Sequence, residues 1–172
     1  DKSLTHLTVV SLNLCLWPPG IRWSLTPAQK IARCHVSEIP RVLKMGHVAL
    51  CQEVFAWPFG QNKWVEEMGP SLQNEYDWHC PQHDLTRLAP YHLMTPGLWT
   101  LAQKTTISLL SQIFHPFQHQ GREPLFELVH PIGFHHTVLR TQNGIIIHVL
   151  NVHMMSDEGH LGLLDAQSFE SF

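Results

Sequence analysis

The chain has 172 residues, of which 44% are hydrophobic and 15% charged, and 14 histidines fill part of the polar share. That length supports one domain with a core of its own, and the composition excludes a disordered or fibrous chain. A formal net charge of −3 provides no global basic field for nucleic acid, and no apolar run approaches the roughly 20 residues that span a bilayer.

The first element is the run Leu7 to Leu16, short, β-branched and almost wholly apolar, as in a strand buried on both faces. Its polar members Ser11 and Asn13 lie two apart and so point to one side. Pro18, Pro19 and Gly20 end it. Thr26-Pro27-Ala28-Gln29 then forms a capping box, which predicts a helix running to about Ser37, with Pro40 breaking it and Gly46 stopping the short helix that follows. His47 to Val54 is the second strand, and strand–helix–strand predicts a parallel or mixed sheet.

Residues 61–68 predict a short helix stopped by Gly69-Pro70, while 70–96 carry many prolines and histidines and no clear period. From Gly97 the pattern turns to β. Gly97–Leu101 and Thr105–Phe114 read as consecutive strands, and Phe134–Thr141 and Ile145–His153 as a hairpin around Asn143-Gly144, a type I′ signal. A tail helix after Asp157 rests on Leu161, Leu164 and Phe169. No repeat or linker divides residues 1–172, so one domain is expected.

The four cysteines, at 15, 34, 51 and 80, show neither a disulfide scaffold nor a thiolate zinc spacing. Cys15 and Cys51 lie in apolar strands and read as reduced thiols, which points to an intracellular, cytoplasmic setting. His79-Cys80-Pro81-Gln82-His83 lacks the second ligand pair of a structural zinc site. His135 and His136 are neighbours on a strand, so they face opposite ways and do not chelate together. The aromatics Phe55, Trp57, Phe59 and Trp64 read as packing beside the second strand. Lys30, Arg33 and Arg41 read as a solvated face.

Three polar residues end or interrupt apolar strands: Asn13 in VVSLNLCLW, Glu53 in VALCQEVF and His153 in HVLNVHMM. A carboxylate at the end of a buried strand is costly unless it is paired or bound to a cation. Magnesium takes oxygen ligands, often one or two carboxylates with water and phosphate completing the shell. A nearby histidine hydrogen-bonds a phosphate or moves a proton near neutral pH.

These motifs resemble the endonuclease/exonuclease/phosphatase family. Val10-Ser11-Leu12-Asn13-Leu14 looks like its opening strand, and Leu50-Cys51-Gln52-Glu53-Val54 like its Gln-Glu motif. Gly97-Leu98-Trp99-Thr100-Leu101 is similar to the glycine-led strand that follows, and Val149-Leu150-Asn151-Val152-His153-Met154 to the Asn-Thr-His-Leu strand. Order and spacing agree over roughly residues 5–155.

The resemblance implies an α/β fold, a DNase I-like mixed-sheet β-sandwich flanked by helices. It implies divalent-metal-dependent phosphodiester hydrolysis with Mg²⁺ or Mn²⁺, Glu53 and Asn13 at the metal, and His153 with Asn151 as the catalytic pair. The substrate would be a phosphoester carried on a lipid, a small molecule or a nucleic acid. The family's later Gly-Asp-x-Asn and Asp-His segments are absent, Val152 and Met154 replace the usual Thr and Leu, and Asp157 and Asp165 lie in no matching context. The expected fold is thus a truncated one. Its alternative role is an inactive remnant that binds a partner or itself over an uncovered sheet.

Overall fold

The computed structural model describes residues 6–16, 36–55, 63–78, 95–117 and 132–153. The predicted capping box and helix up to residue 35, the 79–83 cluster, Trp57, Phe59, Lys30, Arg33, Cys34 and the tail after residue 153 lie outside them.

Strand β1 (Val9–Leu16) runs parallel to β2 (Val48–Val54), joining Val9 to Val48 and Asn13 to Gln52. β4 (Trp99–Gln103) pairs antiparallel with β2, and β3 (Tyr76–Trp78) with the other edge of β4. The first sheet is therefore mixed, in the order β1-β2-β4-β3. The second sheet is antiparallel, β5 (Ile107–Pro116), β6 (Gly133–Thr141) and β7 (Ile146–Val152).

Alternation along β2 and β4 explains the two cores. Ala49, Cys51, Trp99 and Leu101 face one side of the first sheet, where Leu14, Leu16, Leu43, Trp64, Met68 and Leu72 join them. Val48 and Ala102 face the other side and meet Ile107 and Leu139 of the second sheet, with Leu50, Leu109, Ile147 and Val149 around them. The chain is an α/β sandwich of two sheets with few helices on the first sheet's outer side.

Three expectations change in detail. β1 is not buried on both faces: it pairs with β2 alone among the described residues, and Val9 is 47% exposed, because an edge strand is covered only where its neighbour and helices reach. The short helix expected between Pro40 and Gly46 is present. α1 (Ile39–Leu43) follows a 3-10 turn at Val36–Glu38 and carries the proline in its first turn, where its missing N–H costs nothing. Gly69-Pro70 does not stop the next helix. α2 (Lys63–Leu72) runs through both, because Trp64, Val65, Met68 and Leu72 all bury against the sheet while Pro70 stays exposed. The β6–β7 hairpin forms as expected, but Gly144 (φ 85°) is left-handed and Asn143 is not, so the turn is not type I′. The loop of residues 142–144 is instead closed by Gly144 N–H donating to Thr141 at 2.9 Å.

Strand β3 falls in the stretch without a readable period. Its Tyr76 is buried and its hydroxyl donates to the carbonyl of Gly46 at 2.6 Å. Burial, with the neighbouring Glu75 carboxylate, raises the Tyr76 pKa.

Candidate active site

The C-terminal ends of β1 and β2 depart from regular strand geometry together. Between the pairs Asn13–Gln52 and Leu16–Val54, β1 holds one more residue than β2, which makes a β-bulge. Cys15 in the bulge (φ 51°) and Glu53 opposite it (φ 57°) are the non-glycine residues with positive φ among those described. Left-handed backbone costs a side-chain-bearing residue about 1–2 kcal/mol, and such strain concentrates at functional sites. On β2 it breaks the period of two. Ala49, Cys51 and Val54 face the helix-side core, so Glu53 leaves the side that strict alternation would assign to it.

The chain beyond Glu53 is pinned on both flanks. Val54 N–H donates to the carbonyl of Gly97 at 2.9 Å and Phe55 N–H to that of Leu16 at 3.1 Å. Gly97 is itself left-handed (φ 70°), and a Cβ there would stand 2.5 Å from the Phe55 ring, so only glycine fits. Phe55 and Trp64 of the aromatic run are buried, in line with packing.

Asn13, Glu53 and His153 converge at this corner. Asn13 Nδ2 donates to Glu53 Oε1 at 2.8 Å and stands 3.3 Å from His153 Nε2, and His153 Nε2 lies 3.3 Å from the same Glu53 oxygen. The Glu53 side chain is 13% exposed and that of His153 27%, so the corner opens to solvent without being surrounded by it. The Asn13 amide is oriented by the backbone: its Oδ1 accepts the N–H of Cys15 at 3.0 Å and the thiol of Cys15 at 3.3 Å. The amide therefore presents nitrogen, not oxygen, to Glu53. Burial first, then the charge of Glu53 and a hydrogen bond to it, raises the Cys15 pKa. Burial alone raises that of Cys51. Both thiols are free.

Asn151 lies one strand step deeper and is 1% exposed. Its Nδ2 reaches the carbonyls of Cys51 (3.2 Å) and Trp99 (3.3 Å) and the Thr100 hydroxyl (3.3 Å), while its Oδ1 accepts from Gln52 Nε2 at 2.8 Å. One side chain of β7 thus bolts the second sheet to β2 and β4 of the first. It acts on Gln52, the residue before Glu53, from a position two residues before His153. Gln52 is a contributor that sequence reading passed over. The signal was present, since Gln52 and Asn151 each interrupt an apolar strand and a buried amide needs a partner. Beside Asn151 on β6 sits His135, fully buried, with the Gln112 amide 2.8 Å from its Nδ1. His136 faces the opposite way, as alternation requires.

Glu53 supplies a single carboxylate, and among the described residues no group of three or more His, Cys, Asp or Glu side chains could hold a metal ion. This donor set does not suit an all-protein cage. It does suit a hard cation that keeps water and substrate oxygens in its shell.

No family model and no curated protein matches the sequence. Solved structures do match. A structure described as ANGEL2, a 2′,3′-cyclic phosphatase, superposes with a TM-score of 0.51 at 18% identity, covering 87% of this chain and 41% of that one. An endonuclease/exonuclease/phosphatase family protein from Leptotrichia buccalis superposes at 0.53 with 13% identity, covering 90% of this chain and 56% of that one. The fold is that of endonuclease/exonuclease/phosphatase structures, a phosphoesterase-type fold, and the chain spans about half the length of the structures it matches.

Proposed function

We propose that this chain is a divalent-metal-dependent phosphodiester hydrolase whose metal is held by Glu53. The observation that carries the reading is the convergence of Asn13, Glu53 and His153 at the corner where, among the described residues, two side-chain-bearing residues are left-handed. A carboxylate drawn out of strand register at a backbone cost has a use, and cation binding is the use its chemistry fits. Mg²⁺ or Mn²⁺ bound there would polarise phosphoryl oxygens and stabilise charge in an in-line displacement.

The chain's own groups take the other roles. Asn13 donates to the Glu53 carboxylate and fixes its direction, and its amide hydrogens also serve a phosphate oxygen beside the metal. His153 Nε2 contacts the scissile phosphate or moves a proton. Asn151 acts through Gln52 and β7 as a positioning residue. The substrate is a phosphoester, and the 2′,3′-cyclic phosphatase among the structural neighbours makes a 2′,3′-cyclic phosphate a natural member of the first panel. With a net charge of −3, lipid and small-molecule phosphoesters belong in it too. Among the described residues no helix is long and apolar enough to cross a membrane.

The test is hydrolysis of bis-p-nitrophenyl phosphate with Mg²⁺ or Mn²⁺ by the protein and by Glu53→Ala. Metal-dependent turnover lost in the variant supports the hydrolase. No turnover from folded protein with any metal favours a second reading, a non-catalytic binding module with this fold. One observation leans that way: Leu110, Ile113, Ile146 and Leu150 stand about half exposed on the second sheet, as a docking face would.

A further inference from the structure

The outer face of the second sheet carries a histidine on each strand: His115 on β5, His136 on β6 and His148 on β7. Register places them on a diagonal. His136 stands opposite Ile113 and Leu150, His148 opposite Val138, and His115 opposite Phe134. Each ring is thus offset by one same-face position from the next, within reach of long or aromatic side chains. None of the three belongs to the corner that holds Glu53.

His136 and His148 are the close pair. Their rings stack with centroids 5.1 Å apart and planes 21° from parallel, and His136 Nε2 lies 2.8 Å from His148 Nδ1. The His115 ring follows, 6.1 Å from that of His136 and tilted by 42°. His148 is exposed and His136 partly so, and the flanking Ile113 and Leu150 are 44% and 52% exposed. Two imidazole nitrogens are thereby held at one point of an apolar, solvent-reached strand surface.

We propose that His136 and His148 form a two-histidine site for a divalent transition metal of the zinc, nickel or copper class. Imidazole nitrogen suits these ions, whereas Mg²⁺ takes oxygen, so this site and the Glu53 corner select different metals. With metal–nitrogen bonds of about 2.0–2.1 Å, two nitrogens on a tetrahedral ion lie roughly 3.3 Å apart. The facing nitrogens need to part by only about half an ångström from their present spacing. At present one ring donates its N–H to the other. For both nitrogens to coordinate, the donor ring carries its proton on its other nitrogen, a change of tautomer with no net loss of a proton. Water completes the shell, and His115 lies next along the diagonal. A bound ion would tie β7, which carries Asn151 and His153, to β6.

The experiment uses the Glu53→Ala protein, so that the proposed hydrolytic metal site takes no part. Zinc is titrated calorimetrically in excess Mg²⁺, and the titration is repeated after adding His148→Ala or, separately, His136→Gln. The result expected is the loss of one zinc equivalent in each derivative. Copper at one equivalent should also show an electron paramagnetic resonance spectrum with splitting from two nitrogens, reduced to one nitrogen or lost in either derivative. Unchanged zinc stoichiometry in both folded derivatives would overturn the proposal. So would a copper spectrum that neither substitution alters, or zinc binding that saturates only at millimolar concentration.

Discussion

Cys15 and Glu53 face each other across the β1–β2 bulge with left-handed backbones, at φ 51° and 57°. The protein holds Glu53 in place against its backbone preference, and that has a measurable consequence. Glu53→Ala keeps the left-handed penalty of about 1–2 kcal/mol, whereas glycine removes it at an entropic cost of about 0.5–1 kcal/mol. Glu53→Gly should therefore be more stable than Glu53→Ala by roughly 0.5–1 kcal/mol in urea denaturation, with both inactive. Equal stabilities, or a less stable glycine variant, would mean that the backbone there is not strained.

Asn13→Asp keeps the oxygen that accepts the Cys15 N–H and replaces the amide nitrogen, 2.8 Å from Glu53, with a second carboxylate oxygen. Two carboxylates at that distance repel, so one of them binds its proton more tightly in the folded state than in the unfolded chain. The folded state then carries more protons, and stability falls as pH rises through the raised pKa. The variant should be less stable than the parent at pH 7 without metal, recover as pH falls toward about 4, and recover at pH 7 with Mg²⁺ or Mn²⁺. Thermal melts over pH with and without metal check all three. A melt insensitive to metal counts against Glu53 as an anchor.

Asn151→Ala would strip partners from Gln52, from the carbonyls of Cys51 and Trp99 and from Thr100 at a buried position. Leaving buried polar groups unsatisfied costs about 1–3 kcal/mol each before relaxation, so a loss of about 3 kcal/mol is expected. Denaturant midpoints measure it. A loss below about 0.5 kcal/mol would place the hold between the sheets elsewhere.

The Cys15 thiol, its pKa raised by burial and then by Glu53, should alkylate slowly at pH 8. Glu53→Gln removes the negative charge, lowers the thiol pKa and raises the thiolate fraction, so iodoacetamide labelling of Cys15 should speed up severalfold. Burial remains, and the rate should stay below that of an unfolded control. Cys51, fully buried, should stay unlabelled in both native proteins. Site-resolved mass spectrometry separates these rates from those of Cys34 and Cys80.

Much of the sandwich was legible because its strands announce themselves. VVSLNLCL, HVALCQEV and the two strands of the hairpin are short apolar runs bounded by turn residues. β3 was not legible, since three residues rich in aromatics form a strand only when β4 offers its edge. α2 passed its glycine–proline pair because burial of Leu72 outweighed the local signal. At the candidate site, polar interruptions of apolar strands mark Asn13, Glu53 and His153, whereas Asn151 is marked only by the family resemblance of its strand. The left-handed backbone at Cys15 and Glu53 left no trace in the letters, because glycine or asparagine is what normally marks that conformation. The His136–His148 pair was hidden for another reason. Reading along one strand compared His136 with His135, which faces the other way, whereas its partner lies across the hairpin.

The most direct test of Glu53 as a metal anchor is Mn²⁺ binding, followed by electron paramagnetic resonance and competed with Mg²⁺, in the protein and in Glu53→Ala. Manganese reports the site whether or not a given phosphoester turns over. The expected result is one Mg²⁺-displaceable Mn²⁺ per chain that disappears in Glu53→Ala while the fold persists. An undiminished Mg²⁺-displaceable Mn²⁺ signal in folded Glu53→Ala, or no such signal in the parent, would contradict it.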